Sequence, residues 1–319
     1  MKSEKGLTLI VQIPCWNEEK TLAQTVRDIP KTIPGIAKVE ILVIDDGSTD
    51  HTVEMAKNCG VEHIVKLINH KGLAKAFVAG LDASLKFGAD IIVNTDADNQ
   101  YRGEDIPKLI GPVLKAEADM VVGQRDMSSI KDFSFIKKHL QKLGSWVVGQ
   151  VSGTKVLDAT CGFRAYSKEA ALRLNVISDY TYTLETIIQA GKKGIPLAFV
   201  PIGRNRDRRK SRLISSIPNY ILRSAATMVR IYSIYEPLKT FSLIGGLLFS
   251  AGLLIGVRFL YFYFTAGSSG HIQSLILTAV LLIVGFQIAI IGLAADLIGT
   301  NRRLTEDYLY RVKKKEITD

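Results

Sequence analysis

The chain has 319 residues, and its 41 lysines and arginines outnumber 31 aspartates and glutamates, for a formal net charge of +10. Three widely spaced cysteines and five scattered histidines argue against a disulfide framework or a zinc motif, and neither a Walker loop nor a GxGxxG pattern occurs. The basic excess comes late, because residues 204–319 hold 16 basic and 7 acidic residues.

Strand and helix patterns alternate four times in the first 95 residues. Helical periodicity predicts a first helix capped by Asn17, a second capped by Ser48 or Thr49, and a third over 72–88. The alternation predicts an α/β fold with a mostly parallel sheet, helices on both faces, and a ligand site at the carboxyl ends of the strands. Short apolar runs rich in β-branched residues predict the strands themselves at 7–13, 39–45, 62–67 and 89–95.

The octet NTDADNQY, residues 94–101, places two aspartates one residue apart after an apolar run. Taken alone, Asp96 and Asp98 fit either a solvated turn or a divalent-cation site, because turns and hard cations both favour such residues. An aspartate pair at 45–46 and the polar stretch 14–19 also follow predicted strands. Since ligand sites of α/β sheets lie at this edge, the three clusters together favour one common site.

Two apolar segments, 240–264 and 272–295, are each longer than the roughly 20 residues needed to cross a bilayer. The first holds one charged residue, Arg258, and the second holds none. Basic stretches at 204–212 and 302–315 flank the pair, whereas the connection between the segments lacks lysine and arginine. The positive-inside rule therefore predicts two transmembrane helices with both termini in the cytoplasm.

These patterns divide the chain into four expected parts. Residues 1–203 form a cytoplasmic α/β domain, 204–238 basic juxtamembrane helices, 239–300 a transmembrane hairpin and 301–319 a basic cytoplasmic tail. The juxtamembrane part has apolar residues at helical spacing with interleaved arginines, which favours amphipathic helices in the membrane interface over a plain linker.

Five motifs occur in a characteristic order: PCWNEE, VIDDGSTD, NHKGLAKA, NTDADNQY and TCGFRAYSKEA. In this order and spacing the chain resembles the family 2 glycosyltransferases of GT-A fold. The basic segment and the two spans narrow the resemblance to the dolichyl- or polyprenyl-phosphate hexose synthases. The resemblance implies an inverting transfer of a hexose from a nucleotide sugar to undecaprenyl or dolichyl phosphate, at the cytoplasmic face of the cell (inner) membrane.

The two spans look more like those of bacterial or archaeal enzymes, so the resemblance makes UDP-glucose the expected donor. Two alternatives stay open: a GDP-mannose-dependent dolichyl-phosphate mannose synthase, and a family 2 transferase with another lipid or glycan acceptor. An inactive membrane scaffold is the hypothesis from a different class, and the intact acidic motifs argue against it. No nucleic-acid partner is expected, and a homo-oligomer is left open.

The resemblance also implies roles for particular residues. Asp96, Asp98 and Gln100 match the DxD motif and its following amide, which hold Mg²⁺ or Mn²⁺ on the sugar-nucleotide diphosphate. A bound dication would stabilise the charge that develops on the leaving nucleoside diphosphate. The positions implied for nucleotide-sugar binding are Pro14, Trp16, Asn17, Glu18, Asp45, Asp46, Asp96, Ala97 and Asp98.

Basic residues are expected around the reacting and acceptor phosphates. Arg125 follows VVGQ, where the family places a basic residue close to the phosphates, and a guanidinium suits phosphate oxygens well. Headgroup binding alone is the alternative for the juxtamembrane arginines. The acceptor-phosphate clamp implied by the resemblance consists, besides Arg125, of Lys137, Lys138, Arg208, Ser211 and Arg212.

The catalytic group is expected to comprise Asp96, Asp98 and Arg125 together with Asp158, which precedes TCGFR. Asp158 is interpreted as a base or as an orienter of the acceptor. A phosphate monoester has its second pKa near about 6 and is largely ionised at neutral pH, so the acceptor needs little deprotonation. Orientation and charge neutralisation could then supply most of the rate enhancement.

Overall fold

The computed structural model describes residues 6–125, 135–178, 182–205, 235–266 and 272–318, with six further positions between 222 and 233. The chain divides into two compact units. The first comprises Met1–Ile221 together with Leu309–Asp319, and the second comprises Leu222–Tyr308.

The first unit is built on a seven-stranded sheet in the order β3-β2-β1-β4-β6-β5-β7. Neighbouring strands are parallel except at β6, which runs antiparallel to both β4 and β5. This mostly parallel sheet with flanking helices confirms the predicted α/β class. The strands are β1 Leu7–Cys15, β2 Ile36–Asp45, β3 His63–Lys66, β4 Ile91–Asn94, β5 Met120–Arg125, β6 Arg164–Ser167 and β7 Leu197–Ile202.

Helices of this unit bury an apolar face against the sheet. Phe77, Leu81 and Leu85 of α3 are almost fully buried, and α3 packs on β1 and β2. Burial of one such side chain contributes about 1.5–3 kcal/mol. The described helices are α1 Leu22–Asp28, α2 Thr52–Asn58, α3 Leu73–Lys86, α4 Ile106–Leu114, α5 Phe135–Ser152, α6 Lys168–Arg173 and α7 Tyr182–Lys192, with a 3₁₀ turn at Gly103–Asp105.

The predicted helix caps are wrong. Asn17 does not cap α1, which begins only at Leu22, and instead has a left-handed backbone with φ of 55°. Ser48 and Thr49 do not cap α2, which begins at Thr52. The Asp50 carboxylate accepts the Thr52 N–H at 3.0 Å instead. Asparagine tolerates left-handed geometry better than most residues. The polar residues therefore shape the loops before the helices.

The second unit contains most of two long helices, α8 Pro237–Ala266 and α9 Ile272–Thr318. Both are long and apolar enough to cross a membrane, with mean hydropathies of 2.0 and 2.6 over an 18-residue window in each. The two predicted apolar helices are thus present. The second does not stop after its apolar part but stays helical to Thr318, so the expected tail at 301–319 is largely helical.

Glycines bring α8 and α9 close together. A Cβ atom at Gly245 would lie 2.6 Å from the carbonyl oxygen of Gly285, and one at Gly252 would lie 2.9 Å from the Leu281 Cβ. Small residues at such contacts allow two backbones to approach, which is how apolar helices commonly associate in membranes.

Residues Leu309–Thr318 of α9 belong to the first unit and pack on α3 and α6. Lys313 Nζ lies 2.9 Å from Asp82 Oδ1. The Tyr310 hydroxyl donates to Glu169 Oε1 at 2.8 Å, and the Arg173 guanidinium lies 5.4 Å from the centre of the Tyr310 ring. We call Leu309–Thr318 the returning segment.

Replacing Tyr310 by alanine should lower the melting temperature of the first unit by about 2–4 °C, since its hydrogen bonds with Glu169 and Lys314 and its cation–π contacts with Arg173 and Lys314 are lost. Thermal unfolding of the full-length protein in detergent measures the shift. Tyr308, on the same helix and 67% exposed, is the matched control, and Tyr308→Ala should change little. Equal shifts for the two variants would contradict a stabilising role of the returning segment.

Candidate active site

Strands β1, β2 and β4 end at the same edge of the sheet. Their register pairs Cys15 with Asp45 and Gln12 with Asn94. The strand order reverses between β1 and β4, because β2 lies on the other side of β1. Such a reversal opens a crevice at the carboxyl ends of the strands, where α/β proteins bind ligands.

The loops after β1 and β2 are joined by hydrogen bonds. The Asn17 N–H donates to Ser48 Oγ at 2.9 Å, and the Asn17 side-chain oxygen accepts the Thr49 N–H at 2.8 Å. The Glu18 N–H donates to Thr52 Oγ1 at 2.8 Å. The motifs PCWNEE and DDGSTD therefore form one continuous wall of the crevice.

Asp46 holds the loop that leads into α3. Its carboxylate accepts the N–H groups of Lys71 and Gly72, each at 2.8 Å, and lies 2.8 Å from His70 Nδ1. The His70 ring stacks on Trp16 with centroids 4.0 Å apart, and Trp16 remains 40% exposed. Asp46 thus positions His70, which in turn stacks on Trp16. The sequence did not predict this role of His70, whose only signal was its place in the motif NHKGLAKA.

Two other residues of the wall lie at the ends of β1 and β2. Pro14 lies within β1 opposite Ile44. Asp45 is buried, and its carboxylate accepts the Ser48 N–H at 3.0 Å. Binding of a nucleotide by either residue stays a prediction.

Residues 95–101 follow β4 and form what we call the acid loop. The Ala97 side chain is buried, and its carbonyl accepts the Thr25 hydroxyl at 3.0 Å. Asp98 Oδ1 accepts the Gln100 N–H at 3.2 Å. These bonds fix the loop between α1 and β4, and Asp96 and Asp98 are half-buried residues at the crevice.

The acid loop and its surroundings interact electrostatically. Removal from water and the charge of Asp98 raise the pKa of Asp96 to about 7, and Glu18 acts in the same direction. Arg125 and Arg164 oppose the increase. The structure therefore brings Asp96, Asp98 and Arg125, three of the four predicted catalytic residues, within electrostatic reach of one another.

Arg125 is bound to Asp158, the fourth of these residues. Its Nε and Nη2 atoms donate to the two oxygens of Asp158 at 2.8 and 2.9 Å, and Nη2 also donates to Thr160 Oγ1 at 2.6 Å. Burial alone would raise the pKa of Asp158, but the paired guanidinium outweighs burial and lowers it. A carboxylate held in this way is a weak base and a strong orienter of Arg125.

Sequence reasoning missed the support beneath the acid loop. A Cβ atom at Gly162 would lie 3.2 Å from both carboxyl oxygens of Asp96 and 2.9 Å from the Tyr182 hydroxyl, so any side chain there would displace these groups. The motif TCGFR contained the signal, but nothing in it showed which side chain turns inward. Arg164 is fully buried and donates to three backbone carbonyls, those of Ala159, Cys161 and Thr183.

Five predicted acceptor residues cannot be located from the described residues. Lys137 and Lys138 belong to α5, but their side chains lie outside what the structure describes. Arg208, Ser211 and Arg212 also lie outside the described residues. Their roles stay predictions.

The acid loop fits a dication that is shared with a diphosphate. Among the residues that the structure describes, no group of three or more His, Cys, Asp or Glu side chains could hold a metal alone. Mg²⁺ is usually bound through one or two carboxylates together with substrate phosphates. The like-charge repulsion at Asp96 and Asp98 is what a cation would relieve. Gln100, the third predicted metal ligand, differs from the two aspartates because its side-chain oxygen already accepts a hydrogen bond from Arg204 Nη2 at 3.0 Å.

The raised pKa of Asp96 predicts an unusual pH dependence of stability. In the unfolded chain this carboxyl loses its proton near its ordinary pKa, whereas in the folded protein it keeps the proton up to a pKa of about 7. The free energy of unfolding therefore decreases as pH rises from about 4 to about 7. Metal-free Asp96→Asn should therefore melt at least about 2 °C above the wild type at pH 8, with a smaller gain at pH 5. Thermal unfolding with chelator at both pH values measures this, and a variant that gains nothing at pH 8 would contradict it.

Comparison with known proteins places the chain among sugar transferases. A UDP-N-acetylglucosamine–dolichyl-phosphate N-acetylglucosaminyltransferase of Methanococcus voltae is 31% identical over 215 residues, which cover 60% of this chain and 82% of the relative. A dolichol-phosphate mannosyltransferase of Pyrococcus furiosus is 28% identical over 271 residues, which cover 81% of this chain and 72% of the relative.

A solved structure has the same fold. Glucosyl-3-phosphoglycerate synthase of Mycobacterium tuberculosis, crystallised with Mn²⁺, UDP-glucose and phosphoglyceric acid, superposes with a TM-score of 0.55 at 21% identity. The superposition covers 70% of this chain and 80% of that one. The model of the family described as "Glycosyl transferase family 2" matches residues 10–174, more than half of the chain. The chain belongs to glycosyl transferase family 2.

Proposed function

We propose that this protein transfers a hexose from a nucleotide sugar to a polyprenyl phosphate and so makes a polyprenyl-phosphate hexose. The observation that carries the chemistry is the acid pair Asp96 and Asp98 beside the half-buried, oriented Arg125. Relatives named for dolichyl phosphate or dodecaprenyl phosphate support the acceptor class. The two apolar helices fit an acceptor that stays in the bilayer.

The nucleotide would bind in the wall formed by PCWNEE and DDGSTD. The partly exposed Trp16, stacked on His70, offers an aromatic surface to a base. Asp45 would lie near the base or ribose, whereas Asp46 would act through the loop that it holds.

Asp96 and Asp98 would hold Mg²⁺ or Mn²⁺ together with the diphosphate of the donor. When bound, the dication supplies charge stabilisation to the departing nucleoside diphosphate. The Asp96 carboxyl carries a proton below about pH 7 in the folded protein, and it must release that proton before its oxygens can bind the dication. Gly162 leaves the room that this carboxyl group occupies.

The acceptor phosphate would attack the anomeric carbon directly. A bond forms from a phosphate oxygen to C1 as the bond from C1 to the diphosphate oxygen breaks, with inversion at C1. Since the phosphate is already ionised, no side chain needs to remove a proton. Arg125 would neutralise phosphate charge, and Asp158 would orient Arg125. Lys137, Lys138, Arg208, Ser211 and Arg212 complete the proposed acceptor clamp.

We propose UDP-glucose as the donor and GDP-mannose as the alternative; relatives named for mannose support mannose as the sugar of the alternative. Residues 1–203 would form the catalytic domain on the cytoplasmic side of the cell membrane. Residues 204–238 would lie in the interface, 239–300 would cross twice, and both termini would be cytoplasmic.

A donor screen tests the proposal. Membranes containing the protein are incubated with Mn²⁺ or Mg²⁺, a polyprenyl phosphate, and labelled UDP-glucose, UDP-galactose, GDP-mannose or UDP-N-acetylglucosamine. We expect one donor to label a lipid that organic solvent extracts and that mild acid hydrolyses, as a sugar-phosphate linkage requires. An acid-stable labelled lipid would indicate another acceptor. Absence of labelling with every donor contradicts the proposed function.

A further inference from the structure

Arg204 lies two residues after the end of β7 and is fixed beside the acid loop by its neighbours. The Gly203 N–H donates to Asp105 Oδ2 at 2.6 Å, and the Asn205 N–H donates to the Gln100 carbonyl at 3.0 Å. The backbone is anchored on both sides of Arg204, and this fixes the position from which its half-buried side chain extends.

The Arg204 guanidinium occupies the amide oxygen that the sequence predicted as a metal donor. Its Nη2 atom donates to Gln100 Oε1 at 3.0 Å. The Gln100 backbone N–H donates at the same time to Asp98 Oδ1 at 3.2 Å, which ties the Gln100 backbone to the acid pair. A dication and a guanidinium on one oxygen would repel each other, because both are cations at short distance. Gln100 can therefore serve Arg204 or a metal ion, but not both at full strength.

We propose that Arg204 and Gln100 form a latch, in which the guanidinium caps the amide oxygen until a divalent cation arriving with the nucleotide diphosphate displaces it. The latch rests on the proposed function for its biological meaning. The latch weakens binding of a cation that arrives alone, because the charge of Arg204 repels it. A cation that arrives with the anionic diphosphate binds more readily, because the diphosphate compensates the charge of Arg204. Donor binding then frees this guanidinium to meet another anion beside the acid loop.

Mn²⁺ binding without nucleotide tests the latch, with the signal of free Mn²⁺ in electron paramagnetic resonance as the readout on the full-length protein in detergent. Arg204→Ala should bind Mn²⁺ about threefold to tenfold more tightly than the wild type, which corresponds to about 0.7–1.4 kcal/mol. In a Gln100→Ala background the same substitution should gain less than about twofold, because the group that couples the two cations is missing.

Arg102→Ala is the matched control. Arg102 carries the same charge and lies beside Gly203, where an added Cβ would be 2.7 Å from Arg102 Cδ, but it pairs with Glu104. We expect its Mn²⁺ affinity to stay within about twofold of wild type. Equal gains in both arginine variants would show a general charge effect and overturn the latch, as would an unchanged or weaker affinity in Arg204→Ala.

The two proposals fail separately. Binding of UDP or GDP in the presence of Mn²⁺, measured by calorimetry on the wild type, reports on the donor site without any transfer step. A protein that binds neither nucleotide contradicts the proposed function. A protein that binds one of them but shows no effect of Arg204 on Mn²⁺ contradicts only the latch.

Discussion

Asp98→Asn is expected to reduce hexose transfer by about 10³-fold, at the upper end of what loss of one charge-stabilising group costs an enzyme. The asparagine keeps the size of the side chain and an oxygen for the Gln100 N–H, which Asp98 accepts at 3.2 Å. It removes the negative charge that a dication needs. The initial rate of label transfer into extractable lipid, at increasing Mn²⁺, measures the effect.

Glu54 provides the matched control for Asp98. Its side chain is 73% exposed on α2, and Glu54→Gln removes one negative charge from the same unit. Transfer by Glu54→Gln should remain within about twofold of wild type, as for a surface charge. If Asp98→Asn kept more than a tenth of wild-type activity at saturating Mn²⁺, the assignment of the acid pair to the metal would be wrong.

Arg125→Lys is expected to lower transfer by about 10²-fold although the charge is kept, because an ammonium group cannot replace a planar fork. The guanidinium now makes two bonds to Asp158 and a third to Thr160. A lysine would hold at most part of this arrangement and would direct its charge less accurately. Rates at saturating donor and acceptor separate this loss from weaker binding.

Asp158→Asn distinguishes an orienter from a base. If Asp158 only orients Arg125, transfer should fall by about tenfold, and the rate should depend on pH as in the wild type. If Asp158 removed a proton, the loss would approach 10³–10⁴-fold and the basic limb of the profile would change. Because the substitution leaves Arg125 with a neutral partner, the melting temperature must be measured beside the rate.

The first four strands could be predicted because each is a short apolar run ending at polar residues, and helices separate them. The last three were not predicted, since their placement depends on pairing between distant segments. Strand β6 is only four residues long and lies between β4 and β5, with Tyr166 opposite both Ile92 and Met120. No local pattern shows such a partner.

The candidate site follows the same division. Asp96 and Asp98 could be found because position at a strand end and residue type are local properties. Arg125 with Asp158, separated by 33 residues, and Gln100 with Arg204, separated by 104, are pairs that only the fold defines. The helix caps failed for another reason: Asn17 has an amide that can cap a helix or join two loops, and the tertiary contact with Ser48 and Thr49 prevails.

The returning segment has a consequence for biosynthesis. The first unit is discontinuous, since Leu309–Thr318, the end of α9, follows the apolar parts of both α8 and α9 in the chain. A ribosome would therefore complete the sheet long before it makes the residues that pack on α3 and α6. Until then Asp82 and Glu169 lack their partners from the returning segment. The first unit thus reaches its full stability only after the apolar parts of both helices have been synthesised. Its folding is therefore completed late and depends on synthesis of both helices.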